Sequence, residues 1–357
     1  MKFGIVGRIG DGVFRYQGWP TVCRDENGVL YAVSSGHRLS HVCPYGKNVL
    51  YISRDEGETW TPPIIINDTA LDDRDGGITS LGDGKLLLTY FNHPREFYFG
   101  LHDRDNWGRE PLYEAMLSYW KDMPESENHA GSFVRLSRDS GKTWEEAVKV
   151  PVSSPHGPIR LSDGRLLFLG KEFHSGEYES GAVFAFDSAD DGKTWNCLGR
   201  VDFPDGCNGD NIHEPDCLEL PDGRLLGALR GQGDPVPYRF SIYTTVSEDG
   251  GKTWTHPKSL DVNGSPPHLL LHSSGAVVLT YGRRTPPFGE RARISYDNGE
   301  TFGEEIVISE ESNNGDLGYP STVELSDGSL YTVYYQRAQG DDYCSVLYTR
   351  WNLPEKE

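Results

Sequence analysis

The chain has 357 residues, with 54 acidic against 34 basic side chains, a net charge of −20, 42 glycines and 22 prolines. That balance excludes a nucleic-acid partner, because too little positive charge is present to displace the counterions of a phosphate backbone. It leaves a small anion open, since local arginines in a concave pocket decide that question and the global sum does not. No apolar run is long enough to cross a membrane, and Met1–Gly12 lacks the apolar core of a signal peptide. A cytoplasmic protein is expected, or a secreted one whose signal peptide is absent from this chain.

The first predicted element is an apolar stretch, Phe3 to Ile9. Six segments then share one form, a strand, a tight turn of Asp-Gly type and a second strand. They are PTVCRDENGVLYAV from Pro20, GITSLGDGKLLLTY from Gly77, PIRLSDGRLLFLG from Pro158, PDCLELPDGRLLGALR from Pro215, PHLLLHSSGAVVLTY from Pro267 and PSTVELSDGSLYTVYY from Pro320. Asp-Gly between two apolar runs is a strong hairpin signal. Between these hairpins stand five copies of Ser-x-Asp-x-Gly-x-Thr-Trp/Phe, beginning at Ser53, Ser137, Ser188, Ser247 and Ser295. In each copy the Asp accepts from backbone N–H groups a few residues on, the Gly takes a positive φ and the aromatic plugs the next strand.

Hairpin, outer strand, Asp phrase and last strand make four antiparallel strands. Six such units predict an all-β fold, a six-bladed β-propeller running as one domain over 1–357. The sixth unit lacks the Asp phrase and is one strand short, and Phe3 to Ile9 is the candidate to close the ring. The repeat is broken once, by an insertion at about 93–131 in the second blade. Its segment Pro111 to Met123 reads as a short helix with proline at the first position and Leu112, Ala115, Met116 and Tyr119 along one side. Its aromatics (Phe97, Tyr98, Phe99, Trp107, Tyr113, Tyr119 and Trp120) fit a lid or rim over one face, and also a contact in a homo-oligomer.

In a propeller the starts of the inner strands open on one face. This brings together Trp19, the run Asp72-Asp73-Arg74-Asp75, His156, Glu214, His268 and Tyr319. The ends of the second strands arrive on the same face with His37, Arg38, His93, Arg95, Lys171, Glu172, Arg230, Arg283, Arg284, Gln336 and Arg337. Such a polar funnel, with several cations, suits an anionic or polyhydroxylated ligand. Cys23, Cys43, Cys197, Cys207, Cys217 and Cys344 have no metal-ligand spacing, so no metal or cofactor is expected; Cys207 and Cys217 flank one loop and are open to pairing.

At these residues the chain resembles the sialidase (neuraminidase) family over nearly its full length. The Asp phrases correspond to the family's Asp-boxes, also called BNR repeats. His213-Glu214-Pro215 with Arg230 looks like its Glu-Pro strand and following arginine, and Gly318-Tyr319-Pro320-Ser321 falls where its nucleophilic tyrosine lies. The resemblance implies an exo-acting glycoside hydrolase that removes a terminal, sialic-acid-like sugar with retention. Tyr319 would be the nucleophile, Glu214 its base, and Arg230 and Arg283 the carboxylate anchors. A neutral phenol suits a sugar that bears its own carboxylate on the anomeric carbon, and sialidases are an exception to the two-carboxylate rule of glycosidases. Arg38, Trp19, His93 and His156 complete the expected sugar contacts.

Two departures stand out. Gly18 occupies the place of the family's first arginine, with Arg15 three residues away. No carboxylate lies between Arg38 and Lys47, where the family places its acid/base Asp. His37, His41, Asp73 and Asp75 are the alternative proton donors, with His41 and Asp73 the leading pair. The departures leave open a sialidase-fold glycosidase or lyase acting on a different sugar, or a non-catalytic carbohydrate-binding propeller.

Overall fold

The computed structural model describes residues 1–105, 108–310 and 312–354; Trp107 lies outside them. It contains six antiparallel sheets. The first blade runs Tyr16–Arg24, Leu30–Arg38, Lys47–Ser53 and Ile64–Asn67 from axis to rim, and the second, fourth and fifth repeat that order with consecutive strands. In the third blade the inner strand is interrupted: Val152–Ser153 and Ile159–Arg160 both pair with Leu166–Glu172. The sixth blade is closed by the N-terminus. Lys2–Gly7 pairs with Cys344–Trp351, placing Phe3 opposite Thr349 and Ile5 opposite Leu347. The end of the ring is thereby stitched to its beginning, which removes an exposed strand edge.

The Asp phrases behave as their chemistry requires. In all five the Thr N–H donates to the Asp carboxylate at 2.9 Å, and the Gly N–H donates to the Ser hydroxyl. Each aromatic then packs, partly buried, against a different interblade cluster: Trp60, Trp144, Trp195, Trp254 and Phe302. These aromatics precede the outer strands and do not begin them. The sixth cluster, made largely of Ala276, Val278, Ile294, Ile308 and Leu330, is filled by Trp351.

The insertion forms two helices, α1 (Arg95–Asp105) and α2 (Pro111–Asp122). Proline at the first position of α2 is as expected, but the buried face is one residue round from the expected one. Tyr113, Leu117 and Trp120 are buried, whereas Leu112 and Tyr119 are 40% and 55% exposed. Trp120 and Tyr98 pack with Leu71, Leu117 and Met123 against the start of the second blade. All six cysteines are free thiols, Cys207 and Cys217 included.

Candidate functional site

Four inner strands begin with the same irregularity. Trp19, Asp75, Glu214 and Tyr319 have φ of 53°, 48°, 40° and 54°. Each sits inside a register shift of its ladder, between Gly18 and Thr21, Arg74 and Gly77, His213 and Asp216, and Gly318 and Ser321. A β-bulge with a residue in the left-handed region re-aims that side chain and costs on the order of 1–3 kcal/mol for a non-glycine residue. Four such bulges at one mouth of the propeller concentrate strain where side chains converge.

The convergence is direct. The Tyr319 hydroxyl donates to Glu214 Oε1, and Arg230 Nη1 donates to Glu214 Oε2 and, at 3.1 Å, to the Tyr319 oxygen. Arg230 Nη2 is held by Gln232 Oε1 at 2.6 Å. Burial works against the Glu214 carboxylate, but the adjacent Arg230, the Tyr319 hydroxyl and His213 outweigh it and hold its pKa below the ordinary range. Burial and the Glu214 charge push the Tyr319 phenol well above its usual value, against Arg230. The resting pair is therefore a neutral phenol hydrogen-bonded to an ionised carboxylate.

Two cavities flank this pair. One, of about 540 Å³, is lined by His41, Arg230, Gln232, Arg239, Phe240, Arg284 and Phe288 among others. Three guanidinium carbons surround the Phe240 ring at 5.3–5.5 Å, those of Arg230, Arg239 and Arg284. Arg230 is neutralised by Glu214, while Arg239 and Arg284 form no ion pair with the described residues. In a chain of charge −20, two arginines without an ion pair in a concavity have the chemistry to attract an anion. The other cavity, of about 270 Å³, is lined by Asp75, Phe91, His93, Lys171, Phe173, His213 and Glu214 with the segment Ser153–Pro155. Burial lowers Lys171 to about 8 and His93 to about 3. Lys171 Nζ donates to the Gly209 carbonyl at 2.6 Å and lies 2.9 Å from His213 Nδ1.

The expected site residues divide. Tyr319, Glu214 and Arg230 come together, with Trp19 edge-on to Tyr319 at 6.4 Å and His93 in the smaller cavity. His41 lines the arginine cavity, its Nδ1 2.9 Å from Asp316 Oδ1. Four other expected residues line neither of these two cavities. Arg38 is fully buried, donating to both oxygens of Asp72 at 2.5 and 2.9 Å, with its guanidinium 4.8 Å from the Trp19 ring. It supports the floor of the site and does not reach the cavity. Asp73 spends both oxygens on Thr69 and Asn92. Arg283 donates to Glu305 at 3.0 Å, and its neighbour Arg284 faces the cavity in its place. His156 lies in the axial channel, edge-on to His268 at 4.8 Å, in a separate cavity of about 440 Å³ toward the far ends of the inner strands.

The missing first arginine has a steric explanation. A Cβ at Gly18 would sit 3.3 Å from Tyr16 Cε1 and 3.6 Å from Tyr335 Cδ2. These rings crowd the position, and the Tyr16 ring would have to give by a few tenths of an ångström to admit any side chain there. Arg15 does not replace it, since it lies over the Tyr343 ring and beside Asp342. Arg239 and Phe240 were not legible as site residues, because they open a third strand that the repeat places away from the axis. Among the described residues no group of His, Cys, Asp or Glu has metal-holding geometry.

Comparison with known proteins agrees with this architecture. A protein of unknown function from Dyadobacter fermentans superposes with a TM-score of 0.76 at 24% identity, covering 99% of this chain and 98% of that one. The NanB sialidase from Streptococcus pneumoniae gives 0.69 at 15% identity, covering 98% and 70%. Xyloglucanase Xgh74A from Acetivibrio thermocellus is 25% identical over 232 residues, 57% of this chain. The match spans only 25% of that enzyme's length. The fold is thus one used by glycoside hydrolases. The BNR/Asp-box repeat model matches residues 51–62, and the BNR repeat-like domain model matches residues 114–332. By that match and its six-bladed, sialidase-like propeller, the chain belongs to the BNR repeat-like family, as a divergent member.

Proposed function

We propose that the protein is an exo-acting glycoside hydrolase of sialidase type, removing a terminal acidic sugar with retention of configuration. The observation that carries this reading is the hydrogen-bonded group Tyr319, Glu214 and Arg230, built on two strained bulges beside unpaired arginines. In the first step the Tyr319 oxygen attacks the anomeric carbon while Glu214 takes the phenolic proton, and the bond to the leaving oxygen breaks. Because the Tyr319 pKa lies well above its usual value, the proton must leave with the attack and not before it. Arg230 stabilises the negative charge that passes between Glu214 and Tyr319. Arg284 and Arg239 hold the sugar carboxylate. In the second step water displaces the tyrosine, giving net retention. Cavities of about 540 and 270 Å³ each suit a unit about the size of one sugar, which supports exo action.

One feature favours an acidic sugar other than a standard sialoside. Tyr16 and Tyr335 crowd the place of the first arginine, so the carboxylate is held by guanidiniums on one side and faces aromatic rings on the other. The test is release of 4-nitrophenol from aryl sialosides and from a panel of aryl glycosides of other acidic and neutral sugars. Tyr319→Phe and Glu214→Gln are expected to lower kcat/KM by about 10²–10⁴-fold. A hit confined to a non-sialic sugar selects the second reading. No turnover of any aryl glycoside, with sugar binding unchanged by Arg284→Ala, refutes the hydrolase and leaves a carbohydrate-binding propeller.

A further inference from the structure

We propose that Asp75 is the proton donor to the leaving group, and that the smaller cavity, between Asp75, His93 and Phe173, receives that leaving group. The inference rests on the hydrolase reading above. Three carboxylates crowd the start of the second blade, and two are already committed. Asp72 accepts from Arg38, from Tyr98 at 2.6 Å and from Arg74 at 3.4 Å, and Asp73 is bonded to Thr69 and Asn92. Asp75 is different. It is only 7% exposed, its Oδ1 has no hydrogen-bond partner, and it lines the same cavity as Glu214. Its backbone is pinned in the left-handed bulge by the Ser35 hydroxyl, which accepts from the Asp75 N–H at 2.8 Å. Asp75 therefore occupies in the second blade the bulge position that Glu214 and Tyr319 occupy in theirs.

The surroundings drive the two carboxyls of this cavity apart. Burial, then the charges of Glu214 and Asp72, push Asp75 up to about 7 against Arg74 and Arg38. Glu214 is held low by Arg230. Across the cavity stand Lys171, His213 and His93, the last two lowered by burial to about 4 and about 3. Two carboxyls on one cavity, one that holds its proton up to about neutral pH and one that is ionised, are the arrangement an acid and a base require. Arg239 and Arg284, which form no ion pair with the described residues, both line the other cavity, so the sugar carboxylate belongs there and the leaving group belongs with Asp75.

The proton balance closes. As Tyr319 bonds to the anomeric carbon and the glycosidic C–O bond breaks, the Asp75 proton passes to the departing oxygen and the Tyr319 proton to Glu214. In the second step the Asp75 carboxylate takes a proton from the attacking water, and Glu214 returns its proton to the tyrosine oxygen.

The experiment compares Asp75→Asn and Asp75→Ala with wild type on two glycosides of one sugar, a 4-nitrophenyl and a methyl glycoside. An activated phenol leaves with little acid help, so the expected loss is about 10²–10⁴-fold for the methyl glycoside and tenfold or less for the aryl one. Azide, which attacks without deprotonation, is expected to speed aryl turnover by Asp75→Ala. In the infrared difference between wild type and Asp75→Asn, in which the bands of Asp216 and Asp73 cancel, a protonated-carboxyl band that titrates near pH 7 is expected. Equal losses on both glycosides in a variant that melts like wild type, without azide rescue, overturn the donor role alone, as does absence of the band. No turnover of either glycoside by wild type overturns the hydrolase reading and this role with it.

Discussion

At the scale of single residues, the site depends on which of two neighbours faces the cavity. Arg283 ends its strand and Arg284 follows it, and their guanidiniums take different partners. Arg283 lies opposite Gly289 and is tied to Glu305, whereas Arg284 donates to the Gly315 carbonyl at 3.2 Å at the edge of the cavity. A charged hydrogen bond contributes about 1.5–3 kcal/mol. Arg284→Ala is therefore expected to raise KM about 10–100-fold with little change in kcat, because the carboxylate is held equally in ground and transition states. Arg283→Ala is expected to leave KM within about twofold, its partly exposed ion pair contributing little. Steady-state kinetics on a glycoside the wild type cleaves decides between the two, and the reverse pattern returns the assignment to Arg283. That Tyr319, Glu214 and Arg230 meet at one mouth was legible in the sequence because each sits beside a proline or a hairpin whose register is set by its turn. Asp75 could not be told from Asp73, because the bulge between Arg74 and Gly77 changes the parity of the strand and leaves no mark in the residue pattern.

Among the elements, the repeat was legible because each hairpin and each Asp phrase is a local structure, decided within a dozen residues. The glycine of the hairpin turn at Asp222-Gly223 has φ of 85° and that at Asp327-Gly328 78°, values the dipeptide announces. The helical insertion was legible only in part. Its start followed from proline, but its buried face is set by what it covers, Val42, Ala70 and Leu71 of the propeller, which no helical period encodes. Trp120 is the centre of that contact, fully buried and donating its indole N–H to the Ala70 carbonyl at 2.8 Å. Replacing it by alanine deletes a large buried ring, a change that costs about 3–5 kcal/mol. Because α1 and α2 meet the propeller mainly through this cluster, the loss is expected to fall on the insertion and to spare the blades. Limited proteolysis is the readout: Trp120→Ala should be cut within 95–123 faster than wild type, with the β-sheet circular dichroism retained. Loss of both signals together would mean that helices and blades unfold as one unit.

Across the whole molecule, the axis of the propeller is a column of titratable groups whose charged forms burial disfavours. Burial raises Asp216 and Asp75 to about 7 and Asp73 to about 6, and lowers His156 to about 3, with His268 also well below its usual value. The two sets act on stability with opposite sign. A carboxyl whose folded pKa lies above its unfolded value stabilises most below pH 4 and loses that contribution as pH rises through its folded pKa. A histidine whose folded pKa is depressed contributes fully above about 6.5 and loses that contribution as pH falls toward its folded value. Between about pH 4 and 7 the two slopes therefore oppose one another, the histidines adding stability as pH rises and the carboxyls losing it, and above about pH 7 neither set adds further pH dependence. Asp216 isolates one arm of this balance, since it lies away from Tyr319 and Glu214 and its Oδ2 accepts from the Leu269 N–H at 2.7 Å. An asparagine can keep that hydrogen bond through its carbonyl oxygen while removing the ionisation. Asp216→Asn should therefore gain stability relative to wild type as pH rises from 5 to 8, by about 2–3 kcal/mol for the roughly two pKa units between pH 5 and the folded value. Thermal melts of both proteins across that range provide the check. A difference independent of pH would mean that Asp216 is ionised in the folded chain, and the axis would then carry a buried negative charge.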